Sequence, residues 1–97
     1  MARLVVSPAA KQDLVEAFLY VAQDNLDAAE RVHTQLEQAF LTILRQPVIG
    51  RERSDFGPGV RTLAVGRYVI YYRHVAEQLR ILRVIHGARD QSTAFYL

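Results

Sequence analysis

Near the C-terminus Arg83, His86, Arg89 and Asp90 fall within eight residues, the one grouping in the chain that looks enzymatic. A small ribonuclease needs a base to activate a ribose hydroxyl, an acid for the leaving oxygen and cations for the phosphate; histidine and arginine can fill part of that set. The same residues also read as structure, and that reading is favoured. His86-Gly87 ends a strand, Asp90 caps a short following helix, and Arg89 with Asp90 forms an ion pair. The other histidines add nothing catalytic: His33 lies mid-helix off the apolar stripe, and His74 sits at a hairpin. None has metal-like spacing, there is no cysteine, and no glycine-rich phosphate loop or serine signature accompanies them. No catalytic residue, metal site or cofactor is therefore expected, with His86, Arg83 and Arg89 kept as the enzymatic alternative.

A second set of residues suits binding better than bond-breaking. Arg61, Arg67, Tyr68, Tyr71, Tyr72, Arg73, Arg80 and Arg83 interleave with aliphatic residues over 60–85. Strand alternation puts Val69, Tyr71 and Arg73 on one face and Tyr68, Ile70 and Tyr72 on the other. The next run divides into Leu79, Ile81, Arg83 and Ile85 against Arg80, Leu82, Val84 and His86. Taken singly, each is an ordinary half-buried tyrosine or solvated arginine; together they form an apolar surface rimmed with cations, which fits an acidic partner segment with apolar anchors.

The charge distribution points the same way. Residues 1–46 carry four cations and six anions, a net of −2, whereas residues 47–97 carry eight arginines and four carboxylates, a net of +4. Of the 12 basic residues only Lys11 is lysine, and arginine's planar fork suits carboxylate, phosphate and aromatic partners.

These residues must be positioned by a short list of elements. The β-branched run at 3–6 ends at Ser7-Pro8, a good N-cap followed by proline at the first helical position. Ala10, Leu14, Phe18 and Val21 recur with helical spacing, and Asp27 with Glu30 resembles a capping box opening a second helix. That helix carries Ala29, Val32, Leu36, Phe40 and Ile43 inward and stops at Pro47. Residues 46–60, rich in glycine and proline, read as a loop; three strands follow at 60–65, 68–74 and 79–85. The order β-α-α-β-β-β predicts a two-layer α+β fold, with an N-terminal strand and an antiparallel helical hairpin packed on a three- to four-stranded antiparallel sheet.

At 97 residues, 51% hydrophobic and 23% charged, the chain is read as one folded domain over 1–97. No run approaches the length of a membrane span and the N-terminus lacks a signal peptide, so a cytoplasmic protein is expected.

Several segments resemble ParE toxins of the ParE/RelE superfamily: A-A-K-Q-D-L at 9–14, D-N-L-D-A-A at 24–29, G-R-E-R-S-D at 50–55, P-G-V-R-T-L at 58–63, V-G-R-Y-V-I-Y-Y-R at 65–73 and R-V-I-H-G-A-R-D at 83–90. The resemblance implies the toxin of a type II toxin-antitoxin module, inhibiting DNA gyrase by protein binding and neutralised by a ParD-like antitoxin. On this reading His86, Arg89 and Asp90 meet the target, and the arginine-tyrosine set meets the antitoxin. No sequence-specific DNA binding by the toxin alone is expected. The RelE branch, whose members cut messenger RNA on the ribosome, is the alternative. Aligned on it, Arg89 falls on a functional arginine, but Tyr68 stands where another arginine is used and Phe95 where a terminal tyrosine is used. A degenerate toxin that only partners an antitoxin is the third possibility.

Overall fold

The structure, a computed structural model, describes residues 2–96. Strand β1 (Arg3–Val6) runs into helix α1 (Pro8–Ala22), and Ser7 makes the junction. Its backbone is extended, and its hydroxyl oxygen accepts the Ala10 N–H at 3.0 Å while its own hydrogen goes to the Leu82 carbonyl at 2.8 Å. Helix α2 (Leu26–Arg45) follows. Its cap is Asn25, whose Oδ1 accepts the Ala28 N–H at 3.0 Å, so the expected start at Asp27 is corrected by two residues. Asn25 wins because its extended backbone is already in the N-cap conformation, leaving Asp27 in the first turn, where it favours the helix dipole.

The remaining elements are β2 (Arg51–Glu52), a single 3-10 turn at Ser54–Phe56, β3 (Val60–Val65), β4 (Tyr68–Val75), β5 (Gln78–His86) and the short helix α3 (Gln91–Phe95). The sheet has five strands in the order β1-β5-β4-β3-β2. It is mixed, because β1 lies parallel to β5 while every other pair is antiparallel. The expected sheet of three or four antiparallel strands is thus corrected at both edges. The helical hairpin together with β2–β4 makes up the long connection that a parallel β1–β5 pairing requires, and β2 is a two-residue edge hidden in a segment that reads as loop.

A β-bulge on β5 sets the faces. Tyr72 pairs with Ile81 and Tyr71 with Arg83, so Leu82 has no partner and the alternation shifts there. Leu79 and Ile81 face the helices before the bulge, and Val84 does so after it, while Ile85 joins the opposite face. The uninterrupted alternation expected for this strand is corrected accordingly. Beneath the helices lie Leu36, Phe40, Ile43, Ile70, Tyr72 and Ile81, a main core on the hairpin side. In α1 the buried stripe is Ala10, Asp13 and Ala17; Leu14, Phe18 and Val21 are only half-buried. Small residues let α1 lie close against β5. On the opposite face α3 and the 3-10 turn cover a second cluster of Phe56, Val60, Tyr71, Ile85 and Ala94.

Candidate functional site

Past Val6 the strand β1 no longer covers β5, so β5 becomes an edge from Leu82 onward, and its polar groups are closed off by α1. Ser7 binds the Leu82 carbonyl, and Asp13 Oδ2 accepts the Val84 N–H at 2.9 Å. Asp13 also takes both Nε and Nη2 of Arg83, at 2.8 and 2.9 Å, a bidentate pair with its two side chains 5% and 11% exposed. The remaining nitrogen of Arg83 donates to the carbonyls of Ala94 and Phe95 at the end of α3. Arg83 therefore ties α1 to α3 around the sheet edge. The Asp13 carboxylate hydrogen-bonded to it holds the guanidinium above its ordinary pKa, outweighing burial, which acts to lower it.

Beyond this clamp a cleft of about 420 Å³ opens between α1 and the end of β5, with Ala17, Tyr20, Tyr68, His86, Ala88 and Arg89 among its walls. An adjoining cleft of about 320 Å³ shares Tyr20, Tyr68 and His86 and reaches Arg67. The His86 ring meets Tyr68 edge-on with centroids 5.3 Å apart, and its Nδ1 accepts the Ala88 N–H at 3.0 Å. With that lone pair occupied, the neutral ring carries its hydrogen on Nε2, presenting a donor to the cleft rather than a base. Arg89 is exposed at the rim. Asp90 is the N-cap of α3: its Oδ1 accepts the Thr93 N–H at 3.2 Å and the Ser92 hydroxyl at 3.0 Å, and the Thr93 amide chiefly holds its pKa below the ordinary carboxylate value. The expected cap is thus present, and among the described residues no Arg89–Asp90 ion pair accompanies it. Tyr20, 71% exposed, escaped sequence reasoning, although its place just off the apolar stripe of α1 is a usable signal.

The arginine-tyrosine set divides. Tyr71 and Tyr72 are fully buried, and Tyr68 nearly so; in the folded chain neither Tyr71 nor Tyr72 has a surface to offer a partner, which corrects that part of the expectation. Tyr72 donates to the Pro47 carbonyl at 2.7 Å and accepts the Gly50 N–H at 2.9 Å, while Tyr71 donates to Gln91 Oε1 at 2.6 Å. Burial pushes all three phenols up. Position 50 has to be glycine here, since a Cβ would lie within 2.5 Å of the Tyr72 hydroxyl and 2.8 Å of the Thr62 carbonyl. Arg61 reaches the Gly50 carbonyl and Glu52 at the β2 edge, at 2.8 and 3.1 Å. Arg67 is exposed in the β3–β4 turn, and Arg73 and Arg80 are paired positions of β4 and β5 on the side away from the hairpin, with the Arg73 guanidinium lying beside Gly57.

Among the described residues no group of three or more His, Cys, Asp or Glu is placed to hold a metal ion, and no helix is long and apolar enough to cross a membrane. Residues 4–91 match the family model described as the ParE toxin of the type II toxin-antitoxin system parDE. The chain is 32% identical over 88 residues to Toxin ParE3 of Caulobacter vibrioides, covering 90% of this chain and 88% of that protein. It is 31% identical over 90 residues to Toxin ParE1 of Mycobacterium tuberculosis, covering 91% and 92%. A solved structure of the chromosomal ParDE system from P. aeruginosa superposes with a TM-score of 0.75 over 89% of this chain and 96% of that one, at 22% identity, a likeness of fold.

Proposed function

The chain belongs to the ParE toxin family of type II toxin-antitoxin systems, and from that premise we propose that it inhibits DNA gyrase in the cytoplasm by binding it, without chemistry of its own, until a ParD-like antitoxin neutralises it. The observation that carries the non-catalytic reading is that two of the three residues of the nuclease alternative, Arg83 and His86, are engaged inside the fold, which leaves Arg89 alone exposed at the rim. Arg83 is held on two sides by Asp13 and by α3, and His86 gives its Nδ1 lone pair to a backbone amide. Phe95 has no hydroxyl, and the neighbouring Tyr96 turns its own toward the Asp55 carbonyl, 3.4 Å away. A general base must have a free lone pair within reach of the proton it takes.

The exposed end of the molecule supports the target-binding half of the proposal. Tyr20 and Arg89 stand out beside a partly apolar cleft floored by Tyr68 and His86, and exposed tyrosine and arginine next to a socket are the residue types that anchor protein interfaces. Supercoiling by purified gyrase is the test. Added toxin is expected to stop supercoiling and to accumulate cleaved plasmid, and the ParD-like antitoxin to restore activity. Uninhibited gyrase together with new ends in a translated message would replace this proposal with the nuclease alternative.

A further inference from the structure

At the end of the sheet where β4 begins and β5 ends, helix α1 lines the larger cleft with Glu16, Ala17 and Tyr20, and the strands line it with Tyr68, Val84 and His86. Ala17, small and buried, leaves the hollow open, and Tyr20 borders both this cleft and the adjoining one. Tyr68 is 9% exposed, and unlike those of Tyr71 and Tyr72 its hydroxyl makes no hydrogen bond to the described residues. It is not sealed away either. Arg73 Nε is the one buried side-chain polar atom left unpartnered among the described residues, so the Tyr68 oxygen opens on the clefts that its side chain lines. Beside it His86 keeps Nδ1 on the Ala88 N–H and has Nε2 for the cleft. The floor is thus apolar with two polar tips, and covering either tip without a partner is costly. At the mouth the Gly87 N–H donates to the Arg67 carbonyl at 2.8 Å, joining the β3–β4 turn to the loop after β5, so the exposed Arg67 and Arg89 belong to one rim.

We propose that this cleft is a socket for a tyrosine side chain of the target protein, set beside an acidic residue that meets Arg67 or Arg89. This rests on the target-binding reading above and names the side chain that the site takes. A phenol ring suits walls made by Ala17, Val84 and the Tyr20 and Tyr68 rings, and about 420 Å³ lies within the range of ligand pockets, about 300–1,000 Å³. Its hydroxyl accepts from His86 Nε2 and exchanges a hydrogen bond with the Tyr68 hydroxyl. Phenylalanine would cover both polar tips without satisfying them, and a site built to hydrogen-bond a hydroxyl rejects the analogue that lacks one. A protein side chain is preferred to a nucleic acid because the walls are apolar, with Glu16 on the α1 side, and two rim arginines mark a point rather than a track along which a phosphate backbone runs.

Amide chemical-shift titration of the full chain tests the socket, with three capped tripeptides that place tyrosine, phenylalanine or alanine between two aspartates, and with thymidine monophosphate. The tyrosine peptide is expected to shift the amides around Tyr68 and His86 and to bind about tenfold more tightly than the phenylalanine peptide, with the alanine peptide weakest. Tyr68→Phe removes a hydroxyl that holds nothing in the fold, so it should unfold at the parent's midpoint while losing most of the tyrosine preference. Arg89→Gln should weaken the tyrosine and phenylalanine peptides alike and keep the preference, and Arg45→Gln, at an exposed arginine of α2, should match the parent. Equal affinity for the three peptides, no binding to the parent, an undiminished preference in Tyr68→Phe, or tighter binding of the nucleotide overturns the socket. Supercoiling by purified gyrase separates this failure from that of the broader reading. If the parent inhibits gyrase but fails the peptide titration, the socket is wrong and the target reading stands; if the peptides discriminate as expected but gyrase is untouched, the socket stands and gyrase is not the protein that fills it.

Discussion

Strand β5 carries one arginine before its bulge, Arg80, and one after it, Arg83, and the two behave differently. Arg83 meets a carboxylate and two carbonyls of its own chain. Among the described residues Arg80 binds a neutral amide alone, and its register partner on β4 is a second arginine. What separates them is the neighbouring element. At Arg83 the chain has brought α1 and α3 to the sheet edge, whereas at Arg80 nothing of the described chain covers that face. An arginine satisfied internally serves the fold, and an exposed one is left to solvent or a partner. Residue type alone does not decide which.

The sharpest way to break this comparison is to remove the satisfied arginine. Arg83→Ala should leave Asp13 buried and unpaired, costing about 3–5 kcal/mol, a large share of the stability of a domain this size. Urea unfolding of Arg83→Ala, Asp13→Ala and the double variant measures it, and the double variant should lose little more than either single one. Should Arg83→Ala unfold like the parent, the clamp around the sheet edge is not structural.

Core truncation calibrates that number. Leu36→Ala or Phe40→Ala, each nearly fully buried under the hairpin, should cost roughly 2–5 kcal/mol by thermal unfolding. Tyr72→Phe keeps the packing and deletes only the hydroxyl that joins Pro47 and Gly50, so about 1–3 kcal/mol is expected for the polar groups it abandons. The same phenols set the alkaline limit. Burial raises Tyr68, Tyr71 and Tyr72 above the ordinary value of 10.0, so the unfolded chain ionises first. Their contribution is complete below pH 10 and is lost as pH climbs from there through the folded values. Denaturation midpoints followed across that range should fall, and should fall less in Tyr72→Phe. At the other end of β5 the expected effect is smallest: Arg80→Gln should leave stability within about 0.5 kcal/mol of the parent, on the stabilising side because it relieves repulsion from Arg73.

How much of this was legible beforehand follows from where each signal lives. The helices and the β3–β5 meander were readable because the spacing of Ala29, Val32, Leu36, Phe40 and Ile43 and the turn at Gly66 are local features. The parallel pairing of β1 with β5 was not, since Arg3–Val6 says strand but not which neighbour. Strand β2 escaped because Arg51-Glu52 has no apolar pattern. The bulge at Leu82 escaped because an alternation read by eye assumes none, and it is what carries Arg83 off the face of Leu79 and Ile81. Of the site, His86 and Arg89 stood out by type and do line one cleft. Asp13 did not stand out: it reads as a surface acid in a helix, and its partner lies 70 residues away. Its one clue is local, three residues after Ala10 and four before Ala17 on the buried stripe.

The most direct measurement pairs one substitution from each exposed surface in a single gyrase assay. Arg89→Ala and Arg80→Gln toxins, both verified as folded, would be titrated against purified gyrase on supercoiled plasmid, with and without a ParD-like antitoxin. The account predicts that Arg89→Ala loses the accumulation of cleaved plasmid, whereas Arg80→Gln retains it but needs more antitoxin for relief. Cleaved plasmid accumulating with Arg89→Ala as it does with the parent would contradict the claim that this end of β5 meets the target.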